Sequence, residues 1–399
     1  MNSPIVVFSH LRWEFVYQRP QQVLYRLARR HPILYIEEPL PGPRGWTTSQ
    51  PAPGVTVARP SVGNSSSGEE TDRVMAEMVR DLVAANALER AVAWVYTPMA
   101  EPLVDACEPA LVIYDCMDEL SLFLGAPPEL LRREASLLER ADLVFTGGVS
   151  LYNAKRPRHP RVSCFPSSVD VDHFAQARPG TDIVEPDDQA PIPGPRLGYF
   201  GVIDERLDLA AVEMVATLHP DWQIVMVGPT VKIDPATLPR SGNIHYLGQR
   251  SYNDLPAYLA GWDVCLLPFA INDATRFISP TKTLEYMAAE RPIVSTRIRD
   301  IVSAYAHIVY LADTPLSFVQ ACERALSAST AERETRVAAM RVVLARTSWD
   351  MTAAAMENLM EESLAARCAR HTRKEYTCPP SRARRNAHPL LSSVPAPPA

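Results

Sequence analysis

Between Asn272 and Thr296 the chain reads N-D-A-T-R-F-I-S-P-T-K-T-L-E-Y-M-A-A-E-R-P-I-V-S-T, which brings Arg276, Lys282 and Glu285 to the start of one predicted helix. Ser279 is a suitable N-cap and Pro280 suits the first helical position, where a backbone N–H has no intrahelical partner. The helix is predicted from Thr281 to about Ala289, and Pro292 opens a short β-branched strand from Ile293 to Thr296. The positive end of a helix dipole favours Asp or Glu in its first turn by roughly 0.3–1 kcal/mol each. Lys282 occupies that turn instead, Arg276 lies just upstream, and the first acid is Glu285. Two cations beside open backbone N–H groups describe an anion site, with phosphate the usual ligand. Glu285 shares a helix face with Thr281 and Lys282 one turn deeper, where a carboxylate can accept hydrogen bonds from a ribose diol. The plainer reading of the same residues is a capped amphipathic helix with an ordinary Lys–Glu pair.

Other polar sets follow predicted strands. After Ile5 to Ser9 come His10, Arg12, Trp13, Gln18 and Arg19, a dense polar-aromatic connection read as an acceptor-side wall. Trp13 packing and Arg19 as a surface cation are the alternatives. Leu111 to Tyr114 ends in D-C-M-D-E-L, with Asp115, Asp118 and Glu119. Arg196 to Phe200 runs into Gly201 and V-I-D-E-R-L-D, which contains Arg206, while Tyr246 and Leu247 end a further short strand. Open α/β sheets place ligands at the carboxyl ends of their strands.

These loops need a frame. A chain of 399 residues suits two domains, and 47% hydrophobic with 22% charged residues is the composition of a soluble globular protein. Residues 365–399 hold seven Lys/Arg and one acid, so residues 1–364 carry a net −12 of the total −6. Such an acidic body argues against a general nucleic-acid grip, which requires phosphate neutralisation. No run of 18 apolar residues occurs, the first residues enter a strand without the pattern of a secretory signal, and the seven cysteines are scattered with no C-x-x-C. A reducing, cytoplasmic setting is the expectation, with no metal or disulfide framework.

Continuous apolar strands alternate with helices through Ile33–Ile36, Val92–Tyr96, Leu111–Tyr114, Leu143–Thr146 and 162–165, and the pattern restarts after residue 195. The fold class is α/β, a doubly wound parallel sheet in each half. The expected organisation is a Rossmann-like acceptor-side domain over 1–174, a Pro-rich linker over 175–195 and a second Rossmann-like domain over 196–346. A helix over 347–364 is expected to return toward the first domain, followed by a disordered basic, Pro-rich tail over 365–399. Residues 39–70 read as a long mobile excursion.

At this point the residues resemble a known family, the retaining nucleotide-sugar-dependent glycosyltransferases of the GT-B fold, family 4 or group 1 in broad terms. F-S-H-L-R-W-E-F-V-Y-Q-R-P-Q, G-Y-F-G-V-I-D-E-R-L-D-L and F-I-S-P-T-K-T-L-E-Y-M-A-A look closest to a bacterial subgroup of cell-surface polysaccharide enzymes. F-P-S-S-V-D-V-D-H-F (165–174) is similar to the family's signpost before its linker. The resemblance covers roughly residues 4–362. It implies two Rossmann-like domains facing a cleft and transfer of a sugar from a nucleoside diphosphate sugar, UDP by default, to a lipid-linked or polysaccharide acceptor. It also implies retention, no bound metal and no cofactor, with the cytoplasmic protein leaving room for contact at the inner membrane face.

By the same resemblance Glu285 binds the ribose, Lys282 and the backbone around Ser279, Pro280 and Thr281 hold the diphosphate, and Arg206 is the second diphosphate cation. Backbone near Tyr246 and Leu247 holds the base, and His10 and Asp118 are the candidate base or acceptor orienters. Three positions depart from the pattern: Phe277 replaces the first Glu of E-x7-E, Val202 the Arg after the loop Gly201, and Glu290 the Gly of A-A-G-x-P.

Two alternatives stand beside this reading. One is a catalytically silent sugar-nucleotide-binding partner of a polysaccharide assembly machine, motivated by Phe277. The other is a GT-B-fold nucleotide-sugar epimerase, for which no acid–base set is evident. A dehydrogenase is disfavoured because no G-x-G-x-x-G follows a predicted strand, and G-G-V-S-L (147–151) is not the serine-hydrolase elbow G-x-S-x-G.

Overall fold

The computed structural model describes residues 3–63 and 67–377. Among them the first sheet holds nine strands: β1 (Ile5–Ser9), β2 (Ile33–Glu37), β3 (Leu40–Pro41), β4 (Gly45–Ala52), β5 (Val55–Val62), β6 (Val92–Val95), β7 (Leu111–Cys116), β8 (Leu143–Thr146) and β9 (Val162–Cys164). Their order is β3-β5-β2-β1-β6-β7-β8-β9, with β4 paired antiparallel to β5 and the rest parallel. Helices α1 (Arg19–Leu27), α2 (Gly68–Ala85), α3 (Glu129–Arg140), α4 (Val149–Lys155) and α5 (Val171–Ala175) connect and follow these strands.

Alternate side chains explain the continuous apolar runs. Val6 and Phe8 of β1 join the core on one face of the sheet, while Ile5 and Val7 join the other. A strand covered on both faces has no polar side to display.

The second sheet is β12-β11-β10-β13-β14-β15, built from β10 (Arg196–Phe200), β11 (Gln223–Val227), β12 (Ile244–Gly248), β13 (Val264–Leu267), β14 (Ile293–Thr296) and β15 (Tyr310–Ala312). Helices α6 (Leu209–Leu218), α7 (Leu255–Ala260), α8 (Lys282–Ala288), α9 (Arg299–Tyr305), α10 (Pro315–Ser327) and α11 (Thr330–Leu344) belong to this half. The last helix, α12 (Trp349–Thr377), goes back to the first sheet, where Trp349, Met356 and Met360 are buried with Ile5, Val7 and Leu24. Arg26 pairs with Asp350 at 3.0 Å and Arg30 with Glu361 at 2.9 Å along the same seam.

Two sequence expectations are corrected, and the linker is found packed. Within the expected excursion over 39–70, residues 40–62 are not loose: β5 pairs in register with β2, Ile33 opposite Val55, and buries Val55 and Val57 while β4 folds back on it. Prolines and glycines sit at the Pro53–Gly54 turn and on all three strands β3, β4 and β5, where they mask the alternation of V-T-V-A. The stretch 175–195, expected as the interdomain linker, is packed on the second half. Ala177 and Ile192 enter the second core, and buried Gln189 accepts from Trp262 Nε1 at 2.8 Å while donating to the Tyr258 carbonyl at 2.9 Å. The stretch from 365 does not begin a disordered tail, because α12 continues to Thr377 and Arg367 pairs with Asp142 at 2.9 Å and donates to the Ala110 carbonyl at 2.6 Å. Residues 378–399 lie outside the described residues.

Candidate active site

The carboxyl ends of both sheets face one cleft of about 930 Å³. On the second-domain side its floor is the start of α8. That helix begins one residue later than expected, at Lys282. Thr281 precedes it in αR geometry without a side-chain cap, and Ser279 makes no N-cap bond. Tertiary contact decides this: the Ser279 carbonyl accepts from Ser167 Oγ at 2.7 Å, and Thr281 Oγ1 donates to Ser167 Oγ at 3.3 Å, so the segment is held by the first domain.

Lys282 extends beneath Gly201. A Cβ on Gly201 would stand 2.1 Å from Lys282 Cε, and the φ of +138° there is one that L side chains rarely adopt. Glycine is thus required on two counts, close approach and backbone angle. The ammonium lies 5.7 Å from the Tyr199 ring centroid. No carboxylate lies within ion-pair distance of it among the described residues, and burial lowers its pKa. Glu285, one turn deeper, is buried, and burial pushes its pKa up to about 7 against the pull of Lys282. A cation and an acid are therefore held beside the cleft, each attracted to the other and neither in a close ion pair among the described residues.

Arg206 also lines the cleft, but Asp204 holds it at 2.7 Å. Burial opposes its charge, and Asp204 and Asp118 more than compensate, so its pKa stands above the usual value. The Phe123 ring of the first domain lies 5.6 Å from its guanidinium carbon. Asp118 enters from the loop after β7. Burial raises its pKa to about 6, against the attraction of Arg206 and Arg19.

Of the residues singled out from sequence, Trp13, Gln18, Arg19, Asp118, Gly201, Arg206, Ser279, Pro280, Thr281, Lys282 and Glu285 meet in this cleft. The guanidinium of Arg19 is committed, bonded to buried Asp115 at 2.9 Å and to the Phe165 carbonyl at 2.7 Å. It fixes the wall.

Five expected site residues are not among those lining the cleft. Arg12 is drawn to Glu37 at 3.1 Å and to the Glu38 carbonyl at 2.6 Å. Arg276 is exposed, its guanidinium 5.2 Å from the Phe277 ring, and does not reach the anion site. Tyr246 donates its hydroxyl to the Pro239 carbonyl at 3.2 Å, and Leu247 packs against the second core, so the strand end turns to the cleft only from Gln249. His10 stays behind the wall. Burial holds its pKa at about 4, and its buried Nδ1 has no hydrogen-bond partner among the described residues.

Sequence reading missed Tyr252, which joins the two halves. Its ring stacks on His173 at 4.3 Å and lies 4.5 Å from Tyr17, while its hydroxyl accepts from Gln22 at 3.0 Å. Gly228, Pro229 and Arg250 complete the nearby wall. A strand end in G-P was the available signal for the first two; nothing local marks Tyr252.

Phe277, at the position of the missing acid, packs against the first-domain core and does not line the cleft. Glu290 adopts φ +56°. Glu290 N–H donates to the Met287 carbonyl at 2.9 Å and Arg291 N–H to the Tyr286 carbonyl at 3.2 Å, the pairing of a Schellman stop. Its carboxylate bonds Arg341 at 2.8 and 2.9 Å. One grouping with metal-ligand spacing, His31, Glu357 and Glu361, lies far from the cleft along α12, and Arg30 already pairs with both glutamates.

Residues 194–328 match the family described as glycosyl transferases group 1. A Bacillus subtilis protein named for a glycosyltransferase role in teichuronic acid biosynthesis, TuaH, is 25% identical over 236 residues; the match spans 54% of this chain and 58% of that relative. A sucrose-phosphate synthase from Thermosynechococcus elongatus superposes with a TM-score of 0.65 at 15% identity, over 91% of this chain and 100% of its own. An α,α-trehalose 6-phosphate synthase from Burkholderia multivorans gives 0.63 at 16%, over 94% and 98%. An E. coli trehalose-6-phosphate structure bound with UDP-2-fluoro glucose gives 0.64 at 15%, over 91% and 99%. At such identities the structural likeness is one of fold. The chain therefore has the GT-B architecture of two facing parallel-sheet domains, and its second domain is a glycosyl transferase domain of group 1.

Proposed function

We propose that this protein transfers a sugar from a nucleoside diphosphate sugar to an acceptor hydroxyl in polysaccharide or glycolipid synthesis. The observation that carries this reading is the unpaired Lys282 ammonium under Gly201, with buried Glu285 one turn behind it. In this reading Lys282, Arg206 and the backbone around Pro280 to Lys282, just ahead of the bonded first turn of α8, hold the diphosphate, neutralising the leaving group without a metal. Glu285 accepts from the ribose hydroxyls. The base lies toward Gly228, Pro229 and Arg250, beyond which Tyr252 cannot serve as a stacking platform because His173 and Tyr17 cover its faces.

Transfer proceeds with retention. The acceptor oxygen bonds to the anomeric carbon on the face from which the phosphate oxygen leaves, and the acceptor proton passes to that oxygen. Asp118 orients the acceptor hydroxyl. UDP is the default nucleotide, and the acceptor is a polysaccharide or lipid-linked chain, in keeping with the role for which the B. subtilis relative is named. Among the described residues no helix is long and apolar enough to cross a membrane. Contact with a membrane face rests on the acceptor alone.

The test is a thermal-shift panel of nucleoside diphosphates and their sugars. A ligand at 100 times its dissociation constant adds about 2.7 kcal/mol of stability. UDP or GDP is expected to stabilise the wild type and not Lys282→Met; no shift with any nucleotide would end the proposal. The second reading, a silent nucleotide-sugar binder, is favoured by Phe277 turning its ring away from the cleft. Sugar transfer or donor hydrolysis by the purified protein removes it.

A further inference from the structure

The G-G-V-S segment at 147–150 is unexplained by the reading above. It opens α4 of the first domain, with Gly148 at the N-cap, so this helix carries no capping side chain of its own. Helix N-termini leave backbone N–H groups that need acceptors. Here the acceptor comes from the other domain. Ser150 N–H donates to Asp300 Oδ1 at 3.1 Å, and Asp300, at the start of α9, is only 8% exposed. Its Oδ2 lies where a Cβ on Gly148 would stand, 2.3 Å away, and that same Cβ would be 2.9 Å from Ser279 Cβ. Glycine at 148 is what lets the foreign carboxylate in. Burial raises the Asp300 pKa against the Ser150 and Val149 N–H groups, while its Oδ2 and the Ser150 hydroxyl have no hydrogen-bond partner among the described residues.

The contact leads directly to the cleft. Gly147 packs on Met117, where an added Cβ would meet the Met117 carbonyl oxygen at 2.8 Å, and Gly147 N–H donates to the Cys116 carbonyl at 2.9 Å. Met117, Asp118, Gly147 and Ser279 all line the cleft. We propose that Asp300 is a positioning residue for sugar transfer: by capping α4 across the domain boundary it holds the Gly147–Gly148 turn, and with it Asp118, in register with the Ser279–Lys282 segment. This rests on the transferase reading, in which the donor is held by the second domain and the acceptor hydroxyl by the first.

The experiment uses the full chain and the variants Asp300→Ala and Asp300→Asn. Three quantities are read: hydrogen exchange at the Val149 and Ser150 amides, UDP affinity by calorimetry, and UDP release from the UDP-sugar that gives the largest thermal shift. Asp300→Ala is expected to speed exchange at those amides about tenfold, the effect of a lost N-cap. UDP affinity should stay within about twofold, because Lys282, Arg206 and Glu285 are untouched, while turnover falls about tenfold. Asp300→Asn should restore both, since an amide oxygen also caps. Unchanged exchange, unchanged turnover, or UDP affinity falling in step with turnover would each overturn the proposal. Failure of the wild type itself to bind any nucleoside diphosphate or release one from its sugar would instead sink the transferase reading, and the exchange measurement would still decide whether Asp300 caps α4.

Discussion

The pH dependence of donor affinity gives the sharpest test of Glu285. Its carboxyl sits at a pKa of about 7 because burial penalises the charge more than Lys282 relieves it. Only the ionised form offers two acceptor oxygens to a ribose diol. About one carboxyl in ten is ionised at pH 6 and about nine in ten at pH 8, so donor affinity should rise about tenfold over that interval. A nucleoside diphosphate sugar is the probe to use, because its esterified diphosphate does not titrate in this range, whereas free UDP does.

Glu285→Gln removes the slope and the charged acceptor together. At pH 8 it should bind the donor about 10- to 100-fold more weakly, corresponding to roughly 1.5–3 kcal/mol. Its effect on the ligand-free protein has the opposite sign. A carboxyl whose folded pKa is raised contributes stability that is fully present below the unfolded value near 4.5 and is lost as pH rises through about 7. Above pH 7 the Gln variant should therefore be the more stable protein without ligand, by up to about 3 kcal/mol. Calorimetric titration at pH 6, 7 and 8, with urea melts at the same pH values, reads both effects. Identical pH slopes in wild type and variant, or a Gln variant that binds as tightly at pH 8, would refute the assignment.

Gly201→Ala places a Cβ on the Lys282 side chain in a backbone conformation that disfavours it; nucleotide-induced thermal stabilisation should fall by at least 1.4 kcal/mol, about tenfold in affinity, with the second-domain core intact by near-UV circular dichroism. At residue 290, Ala and Gly both remove the carboxylate that bonds Arg341 and lies 3.3 Å from Arg178, but only Ala keeps the left-handed backbone cost. Glu290→Ala should be less stable than Glu290→Gly by about 1 kcal/mol in urea denaturation, and equal stabilities would show that the φ of +56° carries no penalty.

The strands were legible where burial on both faces left an uninterrupted apolar run, as in Ile5–Ser9, Gln223–Val227 and Ile293–Thr296. Glu290 stood out only against the resembled family's A-A-G-x-P, and the structure gives it a positive φ of 56°. The hairpin over 45–62 was not legible, since prolines and glycines interrupt its alternation and its pairing partner β2 lies well before it in the chain. The helical run after residue 365 was missed because no apolar period marks it; it continues from a well-packed helix, with Arg367 tied to Asp142 and Ala110. Of the expected site cations, Lys282 reached the cleft unpaired, whereas Arg12 found Glu37 and Arg276 turned to Phe277. A residue type says what a side chain can bind, and its neighbours in space decide whether it is already bound.

The order of residues alone determined two parallel α/β halves and a helix start bearing a lysine where an acid is usual, because periodicity, caps and glycines are written within a few consecutive positions. Only the tertiary structure decided that Asp300 caps a helix of the other domain, that Tyr252 lies between His173 and Tyr17, and that Ser279 serves the interface with Ser167 and not its own helix. Those groups are more than a hundred residues apart or belong to opposite halves, and no local preference encodes their meeting; it follows from how the covered faces of two sheets dock.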